Sequence, residues 1–139
     1  MSRNHSINLV VLYAHFSPEE NPNGHRWASD IRHFARPEMI TQKALDVAYR
    51  RVIDTTFTYE LSDLIGGRLS EKEDISDREI ALIILEEIWT RMQGPNVDPD
   101  IGYHGAMCRS MCVGDIVFLN GDAWMADRFG FTHLENLEV

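Results

Sequence analysis

The sequence predicts one α+β domain covering residues 1–139, in which a small antiparallel sheet packs against a single long helix. Three observations favour this fold: an apolar, β-branched run at residues 6–13, a helical repeat of apolar residues at 77–93, and an Asn-Gly turn between two β-prone runs. With 44% hydrophobic residues, the chain can bury a core of its own, since a domain of this size removes roughly two-thirds of its unfolded surface from water.

The first half of the chain is predicted to contain two strands and two helices. Residues 6–13 are typical of a buried strand, and the alternation of Thr55, Phe57 and Tyr59 indicates a second one. The segments are, in order, a strand at 6–13, a Pro/Asn-rich loop at 17–24, a short helix at 25–35, a helix at 37–48 with proline in its first turn, a strand at 51–59 and an irregular excursion at 61–73.

The helix at 77–93 has the clearest boundaries in the sequence. Ser76 and Glu79 form a capping box at its start, and Gly94-Pro95 stops it. Its apolar residues recur at every fourth position, namely Ile80, Ile84, Ile88 and Met92, with Leu85 and Trp89 beside them. This spacing predicts a largely buried helix lying on one face of the sheet.

A loop at 96–105 leads to a predicted C-terminal β-hairpin. Its strands are residues 116–119 and 123–131, and Asn120-Gly121 between them favours a type I′ turn. Alternation along the second strand leaves Trp124 as either a core residue or an exposed aromatic anchor for a partner. A barrel-like closure of the C-terminal strands is a further alternative.

Residues 109–117 read Arg-Ser-Met-Cys-Val-Gly-Asp-Ile-Val, and an aromatic-Gly-aromatic sequence closes the hairpin at 129–131. This resembles the C-terminal signature Arg-Ser-(Leu/Met)-Ser-Val-Gly-Asp-Val-Val of a family of small uncharacterised proteins from bacterial plasmids and phages. The resemblance implies a protein encoded by a mobile genetic element and implies no particular chemistry. Cys112 departs from the signature, which has serine at that position.

The charge is unevenly distributed along the chain. Residues 1–59 hold seven Arg/Lys against six Asp/Glu, residues 60–97 four against nine, and residues 98–139 two against seven, which gives a net charge of −9. Such a protein is repelled by phosphate, so we expect no direct nucleic-acid binding and a protein partner instead. Direct binding would require the N-terminal arginines to gather on one face.

Motifs of several common enzyme classes are missing: the sequence has no Gly-x-Ser-x-Gly elbow, no His-Glu-x-x-His and no phosphate-binding glycine loop. His104, Cys108 and Cys112 are spaced four apart, but a structural zinc site needs four ligands, so we predict no metal and no cofactor. Arg109 is expected either to pair with Asp115 or to bind an external carboxylate or phosphate.

These observations predict a non-enzymatic protein-binding module of a mobile element, acting as an acidic inhibitor of a host nucleic-acid-binding defence system of the anti-CRISPR or anti-restriction type. The residues expected to contact the partner are Asp98, Asp100, Arg109, Asp122, Trp124 and Asp127. The alternative is a small enzyme or ligand-binding protein with its site around Arg109, His104 and Asp115.

The expected location is the cytoplasm. No apolar run approaches the ~18 residues that span a membrane, and the N-terminus lacks the apolar core of a secretion signal. Two cysteines do not make a disulfide framework.

Overall fold

The computed structural model describes residues 4–60, 76–93, 97–98, 101–104 and 109–139, with the backbone alone at positions 4, 5, 59, 60, 97, 98 and 104. The predicted excursion at 61–73 lies outside these residues. In chain order the described elements are β1 (Asn4–Ala14), α1 (His25–Phe34), a 3₁₀ turn (Pro37–Met39), α2 (Gln42–Ala48), β2 (Tyr49–Glu60), α3 (Asp77–Arg91), β3 (Val97–Asp98), β4 (Tyr103–His104), β5 (Ile116–Leu119), β6 (Asp122–Asp127) and β7 (Gly130–Leu134).

Five strands form one antiparallel sheet in the order β2-β1-β5-β6-β7, and β3 and β4 pair separately. The α+β class is therefore confirmed. The sheet is open: β2 and β7 are its two edges, so the barrel-like closure does not occur among the described strands.

Helices cover both faces of this sheet. Odd-numbered residues of β1, from Ile7 to Tyr13, belong to a core that includes Ile84, Leu85 and Ile88 of α3. Val10, Leu12 and Ala14 of β1 belong to a second core on the opposite face, completed by α1 and α2. The sequence analysis placed only the long helix against the sheet, whereas the two N-terminal helices form a further layer. Burial on both faces explains why β5 is apolar at all four positions.

The predicted helix at 77–93 is confirmed, although its regular part ends at Arg91. The Ser76 hydroxyl oxygen accepts from the Glu79 amide at 3.1 Å, as the capping box requires. By contrast, the helix predicted at 37–48 is divided into the 3₁₀ turn and α2. Thr41 separates them because it has extended backbone angles and its hydroxyl caps α2 through the Ala44 amide.

The Asn120-Gly121 turn is confirmed, with φ of 50° and 88°. Asn120 also ties the turn to β1, since its side-chain oxygen accepts from the Asn8 amide at 2.8 Å. The predicted second strand at 123–131 is wrong in one respect. It is broken by a tight turn at Arg128 and Phe129, after which β7 pairs back on β6 from Gly130.

Within the described part of the chain, no helix has the length and apolar character needed to cross a membrane.

Candidate functional site

Arg109 and Asp115 form a closed ion pair where the chain enters β5. Asp115 is fully buried, and its two carboxylate oxygens lie 2.8 and 2.7 Å from the two terminal nitrogens of Arg109. The same oxygens accept from the backbone amides of Ala14 at 2.9 Å and Cys112 at 2.8 Å. Each oxygen therefore has two donors, which leaves the carboxylate little capacity for an external ligand.

The Arg109 guanidinium is held by aromatic rings as well as by hydrogen bonds. Its central carbon lies 4.3 Å from the ring centroid of Tyr13 and 4.9 Å from that of Phe16. Its nitrogens also donate to the carbonyl oxygens of Ala14 at 2.9 Å and Ser110 at 3.0 Å. Arg109 thus joins the end of β1 to the segment before β5.

Two tyrosines fix the backbone around this ion pair. The Tyr103 hydroxyl donates to the Arg109 carbonyl, and the Tyr49 hydroxyl donates to the Gly114 carbonyl, both at 2.6 Å. Gly114 has φ of 94°, and a Cβ at this position would lie 3.3 Å from Cγ2 of Ile31 in α1. A side chain here would be strained on both counts, which explains the Val-Gly-Asp sequence in structural terms.

Burial and the charge of Asp115 together set the pKa values in this cluster. Burial acts to lower the pKa of Arg109, but the hydrogen bonds and charge of Asp115 outweigh it, so the pKa is raised. Burial, and after it the charge of Asp115, raises the pKa of Cys112 to about 11. Burial is also the main reason that the pKa values of Tyr13 and Tyr49 lie above their ordinary range. The thiol is therefore protonated at neutral pH and is a weak nucleophile.

This geometry favours a structural role for Arg109 and Asp115 over the catalytic alternative. Both side chains are committed to bonds within the fold, and Asp115 has no access to solvent. Of the third residue of that alternative, His104, only the backbone is described, in β4. No cluster of three or more His, Cys, Asp or Glu side chains suited to a metal occurs among the described residues. Cys108 lies outside them.

The predicted partner-contact residues whose side chains the structure describes do not converge on one surface. Asp122 is exposed at the start of β6, whereas Asp127 lies at its other end, about 17 Å away for a strand of this length. The Asp127 carboxylate shapes the β6–β7 turn, accepting from the Arg128 amide at 2.7 Å and the Thr132 hydroxyl at 2.8 Å. The side chain of Asp98 and all of Asp100 lie outside the described parts of the chain.

Trp124 is a core residue. It is 4% exposed and belongs to the core beneath α3, where its ring lies 4.7 Å from that of His133. The core interpretation of Trp124 is confirmed, and its indole is not presented to a partner in this structure.

The structure reveals a surface that the sequence analysis missed. Phe129 is fully exposed at the tip of the β6–β7 turn. Beside it lies a cavity of about 390 Å³ between α3 and β7, which we call the β7 groove; its lining residues are Glu86, Trp89, Thr90, Asp127, Arg128, Gly130 and Phe131. Phe131 packs edge-to-face on Trp89 with 6.4 Å between ring centroids. In the sequence, the glycine at the end of Asp127-Arg-Phe-Gly130 was the one feature that indicated this turn.

Comparison with protein-family models, with curated proteins and with solved structures finds no match to this chain.

Proposed function

We propose that this protein is a non-enzymatic protein-binding module of a mobile genetic element that inhibits a host defence system by occupying the basic, nucleic-acid-binding surface of one of its proteins. The observation that carries the proposal is the fully exposed ring of Phe129, which lies in the chain between Arg128 and Gly130, two residues that line the β7 groove. Aromatic side chains are enriched among the residues that anchor protein interfaces.

The surroundings of Phe129 support an interface there. A single exposed apolar residue is common on monomeric proteins and carries little weight alone. Here the exposed ring adjoins a groove that contains two more aromatic side chains, those of Trp89 and Phe131. Phe131 is only half-buried, so part of its ring is accessible in the groove, two residues along the chain from Phe129.

The position of β7 in the sheet supports binding of an extended segment. Among the described strands β7 pairs with β6 alone, so its outer edge presents backbone groups that another strand can join. A partner strand added at this edge would run beside Phe131 and bring its own side chains into the groove.

Charge supports a basic partner. Carboxylates of Glu86 and Asp127 line the β7 groove together with one guanidinium, from Arg128. The chain as a whole has a net charge of −9, and the negative charge lies in the C-terminal 80 residues, which hold six Arg/Lys against sixteen Asp/Glu. A negative protein is attracted over long range to the positive surfaces that bind DNA or RNA, and this steering speeds their association.

The proposed activity can be tested by phage plating. The protein would be expressed in bacterial strains that each carry one restriction or CRISPR system, and the efficiency of plating of a phage sensitive to that system would be measured. We expect the efficiency of plating to rise in one strain and to stay unchanged in the others. No relief in any strain would contradict the proposal.

The role of Phe129 needs a matched pair of variants. Phe129→Ala should abolish the relief, while Phe34→Ala, which removes an exposed ring of α1, should keep it. Because Phe129 makes no buried contact, its loss should leave the thermal midpoint unchanged. Equal relief by both variants would show that the β7 groove is not the interface.

A further inference from the structure

A second cleft lies on the other helical layer, beside α1. It has a volume of about 480 Å³ and is lined by Phe16, Ser29, Arg32 and His33. Ser29, Arg32 and His33 are spaced i, i+3 and i+4 along α1, so their side chains share one face of the helix. A hydroxyl, a guanidinium and an imidazole thus border the same space.

The Arg32 guanidinium lies against an aromatic ring at this cleft. Its guanidinium carbon lies 5.2 Å from the ring centroid of Phe16, and the same ring contacts Arg109, which Asp115 anchors. Among the described residues, no carboxylate lies within 4.0 Å of the Arg32 guanidinium, whereas the guanidinium groups of Arg51, Arg91 and Arg109 each have one. Basic residues in the last turn of a helix stabilise its dipole, but that does not explain the cleft or the Phe16 contact.

We propose that Phe16, Ser29, Arg32 and His33 form a binding site for a small phosphate monoester of the nucleoside monophosphate class. The guanidinium fork, the hydroxyl and the imidazole provide donors for the three terminal oxygens of a phosphate monoester. A carboxylate, with two oxygens, would leave one of these groups without a ligand.

Aromatic surface beside the phosphate donors favours a nucleoside. Phe16 lines the cleft, and Phe34, the residue after His33, is 51% exposed with its ring 4.8 Å from the His33 ring. Exposed rings next to cationic groups are a common platform for stacking a nucleobase. A long nucleic acid is disfavoured because a protein with a net charge of −9 repels a polyanion, while the cleft volume suits a small ligand.

The site can be tested by following backbone amide resonances during titration with adenosine monophosphate, adenosine and inorganic phosphate. We expect the monophosphate to bind with a dissociation constant of about 0.1–1 mM, as expected for solvent-exposed donors to the phosphate and one stacked ring. The shifts should concentrate at Ser29, Arg32 and His33. Adenosine should bind at least about tenfold more weakly, a difference of one charge-assisted hydrogen bond.

Two arginine variants provide the control. Arg32→Gln should weaken binding of the monophosphate at least about tenfold, whereas Arg128→Gln, which removes an exposed guanidinium near the β7 groove, should leave it unchanged. Equal affinity for adenosine and its monophosphate, equal loss in the two variants, or no shifts at about 10 mM ligand would each overturn the proposal. If inorganic phosphate binds as tightly as the monophosphate, the nucleoside contributes nothing to binding, and the site recognises phosphate alone. The titration tests this site independently of phage plating, because the cleft at Arg32 and the β7 groove lie on different faces of the sheet.

Discussion

At the residue scale, the Arg109–Asp115 pair shows how a buried charge can serve the fold. Asp115 has no solvent exposure, yet its two oxygens have four donors and its positive partner lies within 2.8 Å. The backbone atoms of Ala14 on β1 also bond to this pair, so the segment before β5 is fastened to the end of β1. Removing Arg109 would leave the buried Asp115 charge without its counter-ion. Removing Asp115 would leave a partly buried guanidinium without its counter-ion and the amides of Ala14 and Cys112 without their acceptor.

We therefore predict that Asp115→Ala reduces the free energy of unfolding by about 3–5 kcal/mol. Urea unfolding followed by circular dichroism would measure the loss. Asp122→Ala provides the control, since that carboxylate is exposed and its removal should change stability by less than ~0.5 kcal/mol. Similar losses for the two variants would contradict the central role given to the pair.

Cys112 makes a pH-dependent contribution to folding stability that can be measured separately from that of other groups. Burial raises its pKa to about 11 from 9.0, so the folded state holds the thiol proton more tightly than the unfolded state. The resulting stability is fully present below pH 9.0 and is lost as the pH rises towards 11. In a Cys108→Ser background, we compare the free energy of unfolding of the protein with Cys112 and of the Cys112→Ala variant. The stability of the Cys112 protein relative to the variant should fall as the pH rises through that window. A difference that stays constant from pH 8 to pH 11 would contradict the assigned environment.

At the element scale, α3 is the helix whose packing can be tested most directly. Ile84 and Ile88 are buried against the sheet, and Ser76 caps the first turn. We predict that Ile84→Ala costs about 2–5 kcal/mol through the cavity it leaves, and that Ser76→Ala costs about 1 kcal/mol. Chemical denaturation would measure both, with Thr90→Ala on the exposed side as the control. A loss below ~0.5 kcal/mol for Ile84→Ala would mean that α3 does not pack through this face.

The elements that could be predicted from sequence are those specified by neighbouring residues. The cap and apolar repeat of α3 and the Asn120-Gly121 turn are local patterns, and both are confirmed. The second turn was missed because it is stabilised by side-chain bonds of Asp127, with Gly130 placed after it. The layer formed by α1 and α2 was missed although the apolar run in β5 already indicated burial on both faces.

The candidate sites were harder to predict because they depend on residues that are distant in sequence. The pairing of Arg109 with Asp115 was one of two interpretations of a short motif, but the contacts to Tyr13 and Phe16 require the fold. Likewise, the side chain of Phe129 is exposed only because a turn occurs there, and Trp89 reaches Phe131 only when α3 lies across β7.

At the scale of the whole molecule, the two candidate surfaces belong to different layers. The β7 groove lies between α3 and the sheet edge, in the acidic C-terminal half of the chain, and the cleft at Arg32 lies beside α1 in the nearly neutral N-terminal half. The charges of the β7 groove act on a partner over a distance, whereas the Phe129 ring acts only on contact. The two should therefore affect different steps of binding. Exposed charges mainly change the rate of association, whereas buried anchors mainly change the rate of dissociation.

This difference gives a kinetic prediction once the defence target is identified by plating. Glu86→Arg reverses an exposed charge that lines the β7 groove and should lower the association rate, with an effect that fades at high salt because the charge is screened. Phe129→Ala should instead raise the dissociation rate by at least about tenfold, since an anchoring ring contributes upwards of ~1.4 kcal/mol. Asp46→Arg makes the same charge reversal at an exposed position of α2. It should have a smaller effect on association, because α2 covers the opposite face of the sheet. Surface plasmon resonance at two salt concentrations would separate the rates. If Asp46→Arg slows association as much as Glu86→Arg, total charge rather than its position governs recognition, and the β7 groove loses its electrostatic support.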